Sequence, residues 1–202
     1  MLIANSKIIG TPVLSVSSGP LGFIASSIVN PDNLKIIAFR LEGPRIGKND
    51  PNILDISSIR EYTPELGMIV DSADELILSN EVVKIKQVLD LNFDLINLKV
   101  ETKKRSKLGH IIDYIISPDD FFVKQIIIKR PSLKSFTDPE LTISRKEIVE
   151  VTDYKVIIKD ELKTIKERAE KEDFIPNFVN PFRKSEQDFA PADNQNLAGK
   201  DN

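Results

Sequence analysis

The strongest constraint on this 202-residue chain is a repeat masked by weak identity. An internal repeat limits the architecture before any single element is assigned. Leu21-Gly22-Phe23-Ile24 returns as Leu108-Gly109-His110-Ile111, Pro31-Asp32 as Pro118-Asp119, and Pro44 as Pro131, each 87 positions later. The same spacing pairs Ile9 with Ile96, Val13 with Val100 and Ile28 with Ile115. Farther along, the spacing reads as 89, pairing Ile59 with Ile148, Glu61 with Glu150, Thr63 with Thr152, Ile69 with Ile158 and Asp71 with Asp160. A two-residue insertion between Pro131 and Ile148 accounts for the change, and surface loops absorb such insertions at small entropic cost.

Each copy reads as short strands. The runs from Lys35 to Leu41 and from Val123 to Lys129 are rich in β-branched and aromatic residues. Strict alternation predicts Ile37, Phe39 and Leu41 on one face, with Ala38, Arg40 and Glu42 on the other. Pro31-Asp32-Asn33 and Pro118-Asp119-Asp120 precede these runs as turns, since Pro presets φ and Asx side chains bond their own backbone. Gly22 and Gly109 mark a bulge or a close backbone approach. Between the copies, Asn80 is placed to cap a helix over 81–90 whose stripe is Val82, Ile85, Val88 and Leu89. A second, more solvated helix is expected over 160–172, and from 173 the chain turns proline-rich and polar, as a largely disordered tail.

The segments Gly10-Thr-Pro-Val-Leu-Ser-Val16, Leu21-Gly22, Asn30-Pro-Asp-Asn-Leu-Lys-Ile-Ile-Ala-Phe39 and Leu54-Asp-Ile-Ser-Ser-Ile59 resemble a PRC-barrel domain. Lys107-Leu-Gly-His-Ile-Ile-Asp-Tyr114 with Leu141-Thr-Ile-Ser-Arg-Lys-Glu-Ile148 resembles a second one. The resemblance spans about 1–160 and implies small barrels of about six strands that hold partners and carry no chemistry of their own. Such domains occur in the cytoplasmic part of the photosynthetic reaction-centre H subunit and in the C-terminal part of the ribosome maturation factor RimM. This chain lacks the transmembrane helix of the former, and it pairs two similar copies where the latter has one. The expected fold is therefore mainly β. Two tandem small β-barrels (1–79 and 93–159) would be joined by a bridging helix (80–92) and followed by a C-terminal helix (160–172) and tail (173–202).

Composition narrows the chemistry. Without cysteine there is no disulfide, thiolate metal site or cysteine nucleophile, and a single histidine, His110, builds neither a His-based metal site nor an imidazole pair. His110 reads as a strand residue, Asp119-Asp120 as turn chemistry, and Asp71-Ser-Ala-Asp-Glu75 as a solvated turn or short cap. Gly19-Pro-Leu-Gly22 has no phosphate-loop spacing. No set of nucleophile, base and orienting group can be assembled, so an enzyme is not expected, nor is a cofactor.

Partner contact is the better expectation. The run Lys103, Lys104, Arg105, Lys107 falls on an expected hairpin tip, where it either keeps an edge from pairing or meets RNA or an acidic partner. Charge is unevenly divided: residues 1–95 carry 8 basic and 12 acidic side chains, 96–159 carry 13 and 9, and 160–202 carry 7 and 10. In the tail, Phe174, Phe178 and Phe182 with Arg183 sit in a stretch too proline-rich to build a core, so they either fold back or dock on a protein. The expected function is a cytoplasmic adaptor without catalysis, binding other proteins through barrels and tail. A homodimer is open to it. The alternative is a ribosome- or RNA-associated assembly factor. Neither a leader nor an integral membrane segment is expected from the N-terminal sequence or from any apolar run.

Overall fold

A computed structural model describes residues 1–47, 50–131 and 139–160. The expected helix beyond Asp160 and the tail with Phe174, Phe178, Phe182 and Arg183 lie outside the described residues. The protein is mainly β, with two sheets, one of which curls as a half-barrel. Strands β1 (Ile3–Ala4), β2 (Pro12–Ser15), β3 (Gly19–Asn30), β4 (Lys35–Glu42), β5 (Ile53–Asp55), β6 (Glu61–Thr63), β7 (Gly67–Val70) and β8 (Leu76–Ile77) come first, with a short helix α1 (Asn5–Ile8) after β1. Helix α2 (Val83–Asp90) follows. Then come β9 (Lys99–Thr102), β10 (Lys107–Ile116), β11 (Val123–Lys129), β12 (Glu140–Ser144), β13 (Ile148–Val151) and β14 (Lys155–Ile158).

The repeat is structural. One sheet runs β6-β7-β2-β3-β4-β5-β8 and the other β13-β14-β9-β10-β11-β12, with β1 paired to β10. Without β8 and β1 the two orders are the same, and the parallel pair falls at the same place in each, β2 with β7 and β9 with β14. Cross-strand register agrees residue by residue. Ile24 faces Leu41 as Ile111 faces Ile128, and Val29 faces Ile36 as Ile116 faces Val123. Even the register shifts recur, between Ile24 and Ser26 as between Ile111 and Asp113.

Two sequence expectations are corrected by this register. Strict alternation fails in β4 because a second shift, between Ile28 and Val29, makes Ile37 an extra residue. Ile36, Phe39 and Leu41 therefore enter the main core, while Ile37 joins Ala38 on the other side. The 89-residue spacing also stops before the last strand: Glu61 faces Ile69, whereas its counterpart Glu150 faces Ile157. Ile69 thus corresponds to Ile157, not Ile158, and Asp71 to Lys159. The turn before β14 is one residue shorter than the turn before β7.

Side chains from both sheets form one contiguous core, including Val13, Phe39, Leu54, Val100, Ile126 and Val156, all essentially inaccessible. Helix α2 lies on the opposite face of the first sheet, where Ile85 packs on Ile28, Ala38 and Ile53. Its stripe is the expected one, but its start is not. The helix begins at Val83 with Val82 as an N-cap that makes no side-chain bond, so Asn80 does not cap it. Glu81 instead accepts the Leu78 amide at 2.6 Å. Among the described residues no helix is long and apolar enough to cross a membrane.

The halves meet through reciprocal contacts. The Ile36 amide donates to the Phe121 carbonyl (2.8 Å), and the Val123 amide donates to the Leu34 carbonyl (2.9 Å). These four residues are two pairs related by the 87-residue spacing, so the joint is two-fold in character. Lys35 and Phe122, themselves counterparts, form the antiparallel bridge at its centre. Leu34 (φ 53°) and Phe121 (φ 56°) hold the same left-handed turn that presents both strand starts to one another.

Candidate functional site

The basic hairpin lies where the sequence places it, at the β9–β10 tip. Lys103, Lys104, Arg105 and Lys107 are all exposed. Their backbone is tied down: the Lys103 amide donates to the Ile158 carbonyl, and the Lys104 amide to the Asp160 carboxylate at 2.8 Å. His110 is exposed on β10, facing Lys99 and Lys129 across neighbouring strands. Asp119 and Asp120 are turn residues, as expected, and Asp119 accepts the Ser117 hydroxyl. Partial desolvation opposes ionisation of Asp120. Hydrogen bonds from Lys124 and the Phe122 amide, with Lys35 nearby, nevertheless hold its carboxyl below the ordinary value. Ser72 caps the Asp71–Glu75 turn by accepting the Asp74 amide.

The joint concentrates charge and aromatic surface around Phe122. Lys35 (5.4 Å), Lys124 (5.6 Å) and Arg145 (4.8 Å) all approach its ring. Arg145 also donates to the Asn33 carbonyl at 2.6 Å, locking the second half onto the first.

A second polar group sits deeper. Ser27 and Tyr114 are counterparts by the 87-residue spacing and hydrogen-bond to one another across the joint. Ser27 also donates to the Asn5 amide oxygen at 2.7 Å. Burial pushes the Tyr114 phenol well above its ordinary value, with Asp94 and Asp113 adding to the rise. On the side of the second sheet this network is closed. Asp113 accepts both the Ser6 hydroxyl (2.6 Å) and the Ser6 amide (3.2 Å), which ties α1 to β10.

On the side of the first sheet it opens into a cleft of about 330 Å3 between β3, β4, the end of α2 and the chain leading to β9. Its wall includes Ser26, Ser27, Arg40, Asn92, Phe93 and Tyr114. The volume lies at the lower end of the range for small-ligand sites. Asp94 is also on the wall, its carboxylate accepting the Ile96 amide at 2.9 Å. Nothing in local sequence marks this cleft. Arg40 reads as an outward strand residue, and its neighbours in space come from four other stretches of chain.

No protein-family model matches the chain, and no curated protein matches it in sequence.

Proposed function

We propose that this chain is a non-catalytic cytoplasmic adaptor built from two PRC-barrel-like units, 1–79 and 93–159, with α2 in the segment joining them. Its role is to hold other proteins. The observation that carries this reading is exposed apolar surface at one end of the first half. Phe23 is 47% exposed and faces Pro12 across β2–β3, while Leu66 is 55% exposed beside Gly67, whose backbone crowds Pro12. Large apolar groups held on a rigid sheet rim are what a protein partner grips. The tail residues Phe174, Phe178, Phe182 and Arg183 add a second grip in this reading.

The test is affinity capture from native cells with the full chain, a Phe23→Ser/Leu66→Ser variant and a chain ending at 172. Partners retained by wild type and lost from either variant support the adaptor, whereas an unchanged partner set counts against it. The basic tip favours the RNA-associated reading instead. Neutralising Lys103, Lys104, Arg105 and Lys107 would then abolish salt-dependent RNA binding. Absence of RNA binding by wild type at low salt removes that alternative.

A further inference from the structure

The cleft beside Arg40 contains groups that the fold leaves without partners. Among the described residues the Arg40 guanidinium makes no ion pair and no hydrogen bond, although Arg40 is half-buried. The Ser26 hydroxyl, the Asn92 side chain and the Phe93 amide are likewise unengaged, and all three residues line the same cleft. A cation and neutral donors gathered around one empty space match a planar oxyanion, and a guanidinium binds carboxylate with two parallel hydrogen bonds.

The second half shows what fills the corresponding space. By the 87-residue spacing, Ser26 corresponds to Asp113, Phe93 to Ser6, and Arg40 to Ile127. There the chain supplies its own carboxylate: Asp113 takes the Ser6 amide and hydroxyl. In the cleft the carboxylate is replaced by a small hydroxyl, and an apolar residue by an arginine. We propose that the Arg40 cleft binds a carboxylate from outside the chain, occupying the place that Asp113 fills in the other half. Arg40 reads its charge, and Ser26 with the Phe93 amide completes its hydrogen bonds. Asp94 sits on the same wall, and its carboxylate accepts the Ile96 amide and makes no ion pair with Arg40 among the described residues. This inference stands independently of the adaptor reading.

The test is titration of the 15N-labelled full chain, followed by NMR. The probes are N-acetylglycine, acetate and N-acetylglycinamide, which stand for a peptide terminus, a free small carboxylate and an uncharged control. Saturable shifts of the Phe93 amide and Arg40 side chain are expected with a carboxylate and not with the control. Tighter binding of N-acetylglycine than of acetate assigns a chain terminus as the source, and equal binding assigns a small free acid. Arg40→Ile, which copies Ile127, is expected to weaken binding by about tenfold or more, the usual worth of a charged hydrogen bond. Ser26→Asp places the carboxylate of the second half into the first and is expected to block binding with the fold retained, as judged by unchanged resonances of β9–β14. Wild type that shows no saturable shift at millimolar ligand, or an Arg40→Ile variant that binds as wild type does, overturns the proposal.

Discussion

The outer faces of the two sheets share a backbone and differ in side chains. In the first sheet Ile28, Ala38 and Ile53 form an apolar surface that Ile85 of α2 covers. The same positions in the second sheet are Ile115, Gln125 and Thr142, with Lys124 where the first sheet has Ile37. That face is half-buried, and among the described residues α2 has no counterpart after β14 to cover it. Register and bulges are common to both halves, so backbone geometry does not decide which face takes a helix. Side-chain chemistry does: an apolar face left in water costs roughly 25 cal/mol for each Å2, and a face with Gln, Thr and Lys around the one Ile115 carries much less of that penalty.

The contrast can be broken most severely at its apolar side. Ile85→Ala is expected to destabilise by about 2–5 kcal/mol, because Ile85 is 2% exposed and its cavity sits under a helix. Gln125→Ala, at the second-sheet position matching Ala38, is expected to be near neutral. Urea unfolding of the two variants checks this, and equal losses would show that the second face depends on its side chains no less than the first does.

Gly22 in β3 and Gly109 in β10 sharpen the comparison. A Cβ on Gly22 would stand 2.6 Å from the Glu42 carbonyl oxygen. On Gly109, at φ 148°, it would lie closer still to the matching Lys129 oxygen, in backbone that side chains avoid. Gly109→Ala is therefore expected to cost about 1–3 kcal/mol and Gly22→Ala less, read as the difference in midpoint under thermal unfolding.

A smaller effect belongs to the joint. The folded Tyr114 phenol ionises above its ordinary value of 10.0, so its contribution is whole below that pH and falls as pH rises beyond it. Stability measured above pH 10.0 is expected to drop more steeply in wild type than in Tyr114→Phe. The smallest effect is expected at Asp120. Its lowered carboxyl value means that its contribution is present at neutral pH and lost as pH falls through the folded value. Because both side chains of the Lys124 pair are more than a third exposed, Asp120→Asn should cost no more than about 1 kcal/mol near neutral pH and flatten the acid limb.

How far these features could be read in the chain depends on their range. The turns, the strand runs and the apolar stripe of α2 follow from short spacings that one segment carries by itself, and the repeat follows from matching such segments 87 residues apart. The bulge at Ile37 escapes such reading because an extra residue reverses the alternation without changing composition. The shift at β14 escapes because the spacing of Ile69 to Ile158 is chemically as good as Ile69 to Ile157, and only pairing with Glu150 separates them. The helix start escapes because Asn80 fits a cap rule that tertiary packing does not use. The Arg40 cleft is less visible still, since its groups lie far apart in sequence and become a site only by what they do not bond.

The bridge between Lys35 and Phe122 has one more consequence. Two identical halves on separate chains would have to find each other, at a rate set by their concentration. Carried on one chain, each meets its counterpart at the effective concentration of a tether, on the order of millimolar. Dilution therefore cannot pull this joint apart, and the two halves can differ, one with a carboxylate at Asp113 and the other with an arginine at Arg40, without losing their partner.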